Sequence, residues 1–269
     1  EKEIWAGKAW GHLESVRRTA PLVQCITNFV SMDIVANVLL SAGASPAMIH
    51  SIEEIRDFTP AINVLYINIG TLSPEWLPAM KLAAGVANNC DKPWVLDPVA
   101  AGATGFRLKA CLELLELKPT VVRGNASEIL ALYRGSVEEN HKGVDSTHES
   151  TTALSAAKFL AQKTGCVVAV SGEVDIVTDG DRVLGAKNGV SMLRAITAAG
   201  CSVTALIAAF VSVDPMHPLD ATATALSIFG LAAEKAMEVA RGPASLRMHL
   251  IDAIHRLKLK SVVKRVSIT

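Results

Sequence analysis

The sequence predicts an α/β fold built on one mainly parallel sheet, and three observations carry that prediction. Short β-branched runs alternate with longer segments of helical period, the pattern of successive βαβ units. The strand candidates are nearly continuous apolar runs, as expected where helices cover both faces of a sheet. No repeat, long linker or break in composition interrupts the 269 residues, so one domain over residues 1–269 is expected.

Residues 22–26 (LVQCI) read as the first strand, followed by a helix over 29–41 with Ile34, Val35, Val38 and Leu39 on one face. Ser51 and Glu54 have capping-box spacing ahead of a short helix. Residues 63–69 (NVLYINI) form a second strand closed by Gly70, and Ser73-Pro74-Glu75 starts a helix with proline in its first position. The third strand, 93–96, ends at Asp97-Pro98; a helix over 106–117 and a strand at 120–122 follow. Asn125 to Glu128 opens another helix. The polar stretch 134–150, with Gly135, Gly143, His141 and His148, reads as a loop. A helix over 151–163 precedes strands at 166–171 and 174–178, separated by Gly172-Glu173. Asp179-Gly180-Asp181 turns the chain into 183–185, and the last third is helical at 201–213, 219–240 and 246–257.

Composition narrows the partners. Acidic and basic residues balance at 26 each, with no basic block, which argues against nucleic acid or an anionic membrane surface. The apolar stretches 203–213 and 221–233 are too short to span a bilayer and read as buried helices. The opening EKEIW resembles neither a secretory nor a transit peptide. It lacks an initiator Met, so a segment removed or excluded upstream is compatible with it. Cys25, Cys90, Cys111, Cys166 and Cys201 are odd in number, scattered and free of any C-x-x-C pair, which predicts free thiols in a reducing cytoplasm. Without HExxH or a tight His/Cys cluster, no structural zinc site is expected.

In open α/β sheets, ligands bind beyond the carboxyl ends of strands. Four segments occupy such places: Asn28, Asp97-Pro98-Val99, Arg123-Gly124-Asn125, and 197–201 (TAAGC) before an apolar helix. In Ala198-Ala199-Gly200-Cys201, small residues admit a ligand to backbone N–H groups that lack helical acceptors, which suits a phosphate. Taken alone, the segment reads first as a tight turn into a core helix. Asp97 is placed to help bind magnesium, to assist deprotonation of an alcohol, or simply to cap a turn. Glu128 is either a helix-start carboxylate or, with Asn125, a water-mediated magnesium holder. Arg123 fits a triphosphate clamp or a surface ion pair. Glu173 and Asp175 read as hairpin residues, His50 as a satisfied, partly buried histidine, and His141 and His148 as solvated. No Ser-His-Asp set, P-loop or G-x-G-x-x-G is present.

Six segments carry a resemblance: 22–28 (LVQCITN), 43–48 (GASPAM), 96–105 (LDPVAAGATG), 123–129 (RGNASEI), 171–175 (SGEVD) and 197–201 (TAAGC). In order and spacing the chain resembles the hydroxyethylthiazole kinase family of the ribokinase-like superfamily, from about residue 12 to about 240. The resemblance implies a ribokinase-like three-layer α/β/α fold with a mainly parallel central sheet. It implies ATP-dependent, Mg2+-assisted phosphorylation of the primary alcohol of 4-methyl-5-(2-hydroxyethyl)thiazole, the salvage route to the thiazole half of thiamine. It also implies a homotrimer with the substrate site at the subunit boundary.

By similarity, Asn28 and Met48 contact the thiazole, and Ala198 and Cys201 line its site. Arg123, Asn125 and Ser171 contact ATP, and Asp97 with Glu128 organises magnesium and phosphate. Backbone donors of Ala199, Gly200 and Cys201 are expected to hold the transferred phosphoryl group. Asp97 polarises the alcohol. Cys201, where ribokinase-like relatives generally place Asp, is a substrate-site residue and at most a weak base. Two positions depart from the family pattern: Ser171 replaces a common Thr and keeps the hydroxyl, and Ala198 replaces the first glycine of Thr-Gly-x-Gly-Cys. The added methyl crowds phosphate or substrate unless φ is negative there; the fold is expected to tolerate Ala198, its N–H toward the phosphate. The rival readings are a hydroxymethylpyrimidine or pyridoxal kinase, a lyase repairing hydrated nicotinamide cofactors, and a non-catalytic thiazole or thiamine binder.

Overall fold

The computed structural model describes residues 2–138 and 152–269. Its strands are β1 (Leu22–Ile26), β2 (Ser45–Ala47), β3 (Val64–Asn68), β4 (Trp94–Asp97), β5 (Val121–Asn125), β6 (Val167–Ser171), β7 (Asp175–Thr178) and β8 (Val183–Ala186). They form one sheet in the order β2-β1-β3-β4-β5-β6-β7-β8. Pairings from β2 through β6 are parallel, and two antiparallel hairpins add β7 and β8.

The helices are α1 (Lys2–Thr19), α2 (Met32–Ala42), α3 (Ile52–Phe58), α4 (Trp76–Asn89), α5 (Gly105–Glu116), α6 (Ala126–Glu138), α7 (Ala153–Thr164), α8 (Ala199–Val213), α9 (Pro218–Met237), α10 (Pro243–Arg256) and α11 (Leu259–Arg265). They divide between two cores. Val23, Tyr66, Val95, Val121 and Ala169 project toward α1, α2 and α8–α11. Leu65, Ile67, Trp94, Leu96, Val122 and Val168 project toward α3–α7. Successive strand residues thus alternate between two apolar layers, which is why the strands read as unbroken apolar runs. The layers are α/β/α, as predicted.

Several elements differ from expectation, each for a local reason. The amino-terminal helix α1 was not anticipated; it buries Ala6, Ala9, His12, Leu13 and Val16, a stripe too small and mixed to stand out. Strand β2 is also additional, and its Pro46 is accommodated because β2 is the sheet edge. Helix α4 begins at Trp76, because the N–H groups of Trp76 and Leu77 both bond Ser73 O and leave Pro74-Glu75 as a turn. Ser51 precedes α3 without a side-chain capping bond, so that capping box does not form. Helix α8 starts at Ala199, two residues earlier than expected, and α9 ends at Met237.

The expected loop at 134–150 is helical as far as Glu138. Gly135 is there for close packing: a Cβ would lie 2.9 Å from Leu112 Cδ1 of α5. Gly143, His141 and His148 lie outside the described residues. All five cysteines are free thiols. Among the described residues no helix is long and apolar enough to cross a membrane, and no group of three or more metal-ligating side chains forms.

Candidate active site

Strand register places the candidate residues at one level. Asn68 of β3 pairs with Asp97 of β4, and Asn125 of β5 pairs with Ser171 of β6. Helix α8 packs over β3 and β4, its first turn above these strand ends. Arg123 reaches that turn: a Cβ on Gly200 would lie 2.8 Å from its Nη1, so glycine is what lets the guanidinium lie against the helix. Arg123 Nη2 donates to Ser171 Oγ over 2.6 Å, and Ser171 Oγ donates to Gly124 O over 3.2 Å. The Nε of Arg123 is buried and has no hydrogen-bond partner among the described residues. An unsatisfied buried cationic donor is costly, and an anion in front of it removes the penalty.

Beside this guanidinium opens a cavity of about 800 Å³ whose walls combine Arg123, Asn125, Ser171 and Gly200 with Leu226 and Phe229. Its size and mixed lining suit a nucleotide-sized ligand. The donors at the α8 terminus are fewer than expected, since Ala199 N–H is engaged by Ile196 O at 3.3 Å. Gly200 and Cys201 retain N–H groups without a helical acceptor. Ala198 caps this helix at φ 62° and ψ 18°, in the left-handed region. The condition of a negative φ is therefore not met. The position favours glycine, and alanine carries the strain of a Cβ there.

On the other side of the same turn lies a buried polar network. Asn28 Nδ2 donates to Asn68 Oδ1 at 2.8 Å and to Cys201 Sγ at 3.6 Å. Asn68 Nδ2 donates to Tyr66 Oη at 2.8 Å, and Tyr66 Oη donates to Cys201 O at 2.9 Å. Asn28 Oδ1 accepts from the N–H groups of Val30 and Ser31, which fixes the turn after β1. Met48 lies one residue beyond β2, half-buried against the first core.

Asp97 is 2 % exposed and accepts a 2.8 Å hydrogen bond from Thr204 Oγ1 at Oδ2. Burial raises its pKa to about 7; Arg123 opposes the rise and Glu128 adds to it. Burial, reinforced by Asp97, pushes the Cys201 thiol up to about 11, so it stays protonated at neutral pH. Burial also lowers the pKa of His50, which stacks on Trp76 with ring centroids 4.6 Å apart.

Glu128 resolves as a helix-start residue with a second attachment. Its Oε2 accepts from Asn125 N at 2.8 Å while Asn125 Oδ1 accepts from Glu128 N at 2.9 Å, a reciprocal cap. Its Oε1 accepts from Ala100 N at 2.9 Å and so holds the loop after β4. Each carboxylate oxygen keeps a further lone pair for water. Asp97, on which both Arg123 and Glu128 act electrostatically, and Glu128 supply carboxylates of the kind that suits Mg2+, an ion that retains most of its waters.

Four site residues escaped the sequence. Asn68 ends a strand as Asp97 does, so the carboxyl-end rule could have found it. Tyr66 and Thr204 sit inside apolar runs and carry no local signal. Arg107 on α5 donates to Ile69 O at 2.9 Å, Val99 O at 3.0 Å and Gly70 O, fastening together the loops after β3 and β4. Glu173 and Asp175 lie at the β6–β7 hairpin as expected, with Asp175 Oδ1 accepting from Gly172 N.

Comparison with known proteins adds an independent line. A model of the hydroxyethylthiazole kinase family matches residues 13–260. A hydroxyethylthiazole kinase of Arabidopsis thaliana is 59 % identical over 269 residues, covering 100 % of this chain and 97 % of that protein. The structure of a hydroxyethylthiazole kinase protein from Pyrococcus horikoshii superposes with a TM-score of 0.87 at 40 % identity, covering 97 % of this chain and 98 % of that one. A ribokinase-like superfamily protein from Enterococcus faecalis, 12 % identical, shares the fold at a TM-score of 0.61 over 87 % of this chain and 86 % of its own.

Proposed function

The chain belongs to the hydroxyethylthiazole kinase family, and from that premise we propose that it transfers the terminal phosphoryl group of ATP to the primary alcohol of 4-methyl-5-(2-hydroxyethyl)thiazole at the first turn of α8. The observation that carries this reading is the Arg123 guanidinium, with its unpaired buried Nε, held against Gly200 beside a nucleotide-sized cavity. We read the chain as one catalytic domain, since the eight strands among the described residues make a single sheet.

Each group then has a role. Arg123, Ser171 and Asn125 bind the nucleotide from the cavity side, and the Gly200 and Cys201 N–H groups face the transferred phosphoryl. Asn28, Met48, Ala198 and the neutral Cys201 thiol bound the alcohol's space. Asp97, which Thr204 bonds at Oδ2 and Asn68 also bonds through its side chain, accepts the alcohol proton as the oxygen–phosphorus bond forms and ADP departs. Asp97 and Glu128 would hold Mg2+ through water, and the ion supplies neutralisation of phosphate charge. Phe29, beside Asn28, is 69 % exposed and stacks on Trp76. That exposed face next to the alcohol side supports a homotrimer whose neighbouring subunit completes the site.

Purified protein with saturating Mg-ATP and the thiazole alcohol should yield the phosphate ester and ADP in equal amounts. No ester would refute the reading, and preferential phosphorylation of pyridoxal or a hydroxymethylpyrimidine would select the rival kinase. Sedimentation as a monomer would remove the trimer.

A further inference from the structure

The cavity is also lined by the turn after β8, at Asn188 and Gly189. The Asn188 side chain is tied to two separate parts of the chain. Its Nδ2 donates to Glu234 Oε1 and to Arg265 O, each at 2.9 Å, and its Oδ1 accepts from Ser227 Oγ and, at 2.9 Å, from Ser267 N. Those four bonds exhaust the capacity of a primary amide. Two of them come from α9, and two come from the last residues of the chain. Glu234 Oε1 also accepts from Gly189 N at 3.1 Å. Gly230 of α9 allows the close approach, since a Cβ there would lie 2.2 Å from Asn188 O.

The 265–269 segment is itself fastened to the sheet edge. Gly185 and Thr269 exchange two backbone bonds of 2.8 and 2.9 Å, and Lys187 N donates to Ser267 O at 3.0 Å. Ala186 and Ile268 form an antiparallel bridge. Among the described residues, the hydrogen bonds from 265–269 that meet the cavity lining go to Asn188.

We propose that the segment of residues 265–269 acts through Asn188 as a positioning element for the nucleotide, by holding the wall at 188–190 in its binding conformation. This rests on the cavity being the nucleotide site. Three variants of the full protein test it: removal of residues 267–269, Asn188→Asp, and Arg123→Met as a probe of the cavity alone. The readouts are KM for ATP and for the thiazole alcohol, the ADP dissociation constant by calorimetry, and thermal midpoint.

Loss of one or two ordering hydrogen bonds should raise KM for ATP and the ADP constant about five- to tenfold in the first two variants, with KM for the alcohol within about twofold. Unchanged nucleotide constants in either folded variant would overturn the proposal. Equal loss for both substrates with a lowered midpoint would overturn it too, by making the segment merely structural. Should the truncated chain not fold, Ser267→Pro, which removes the N–H that bonds Asn188 Oδ1 and alters no side chain of the cavity, decides in its place. If Arg123→Met binds ADP as the parent does, the nucleotide lies elsewhere; the cavity reading then fails first, and the segment's role with it.

Discussion

Replacing Thr204 with Val tests the assignment of Asp97 as the group that takes the alcohol proton. The substitution keeps the β-branched shape on a buried helix and removes the 2.8 Å hydrogen bond to Asp97 Oδ2. That bond favours the charged carboxylate, so its loss raises a pKa already near 7 through burial. A hydrogen bond to a charged group contributes about 1.5–3 kcal/mol, and one pH unit corresponds to about 1.4 kcal/mol. A displacement of about one pH unit upward is expected if the carboxylate recovers part of the loss from its other neighbours. The assay is kcat/KM for the alcohol from about pH 5.5 to about pH 9.5 at saturating Mg-ATP, which reports groups of the enzyme before the alcohol binds. The readout is the displacement between the two profiles: the variant loses up to about tenfold well below the parent's midpoint, and the two proteins converge to within about twofold well above both midpoints. A pH-independent loss would show that Thr204 only positions the carboxyl, and a downward displacement would refute the argument.

The same raised pKa bears on stability. In the ligand-free protein Asp97 stays protonated between the usual 3.8 and about 7, whereas the unfolded chain is ionised there. The unfolded state binds fewer protons in that window, so stability falls as pH rises through it and levels off above about 7, a contribution on the order of 4 kcal/mol. Thr204→Val extends the decline upward.

Further outcomes follow from the geometry. Ala198→Gly relieves a Cβ at φ 62°, and should stabilise the protein by about 1 kcal/mol, read as a rise of about 2–4 °C in thermal midpoint. Cys201→Ser should keep most turnover because the thiol, with a pKa of about 11, is neutral at working pH; Asp97→Asn should lose on the order of a hundredfold or more. The reverse ranking would reassign the base to the thiol. Gly230→Ala places a methyl 2.2 Å from Asn188 O and should destabilise the fold by about 1–3 kcal/mol in denaturant titration; an unchanged midpoint would mean the wall at 188–190 yields freely.

The central strands were legible because burial on both faces leaves an apolar run that needs no knowledge of the neighbours. What surrounds them was less so. Ser51–Glu54 and Asn125–Glu128 share one spacing, yet only the second forms a reciprocal cap. Its Asn125 leaves a central strand, and its Glu128 gains a further donor from Ala100, 28 residues away in sequence. Asn28, Asp97 and Arg123 could be picked out as strand-end polar residues, while Met48 and Ser171 entered through the family resemblance. Thr204 was hidden because a hydroxyl within an apolar helix looks like filler until the carboxyl beneath it is known. Tyr66 was hidden likewise, since an aromatic in a strand is ordinary.

The first turn of α8 has more attachments on one side than on the other. Tyr66 Oη holds Cys201 O, Thr204 bridges Gly200 O and Asp97, and Ser202 bonds Ala198 O through both its N–H and its hydroxyl. These bonds secure the turn within α8 and to β3 and β4, the side assigned to the alcohol. Toward the nucleotide cavity it meets the Arg123 guanidinium, with its unsatisfied Nε. Donors held this firmly need little reorganisation when charge develops on the transferred group, which is where electrostatic preorganisation is most effective. It follows that the strain at Ala198 is carried as lost stability, because the tethers keep Gly200 and Cys201 where a glycine at 198 would also leave them. The proposed nucleotide side, where Asn188 is bonded to residues 265–267, is where substitutions should change binding without moving the chemistry.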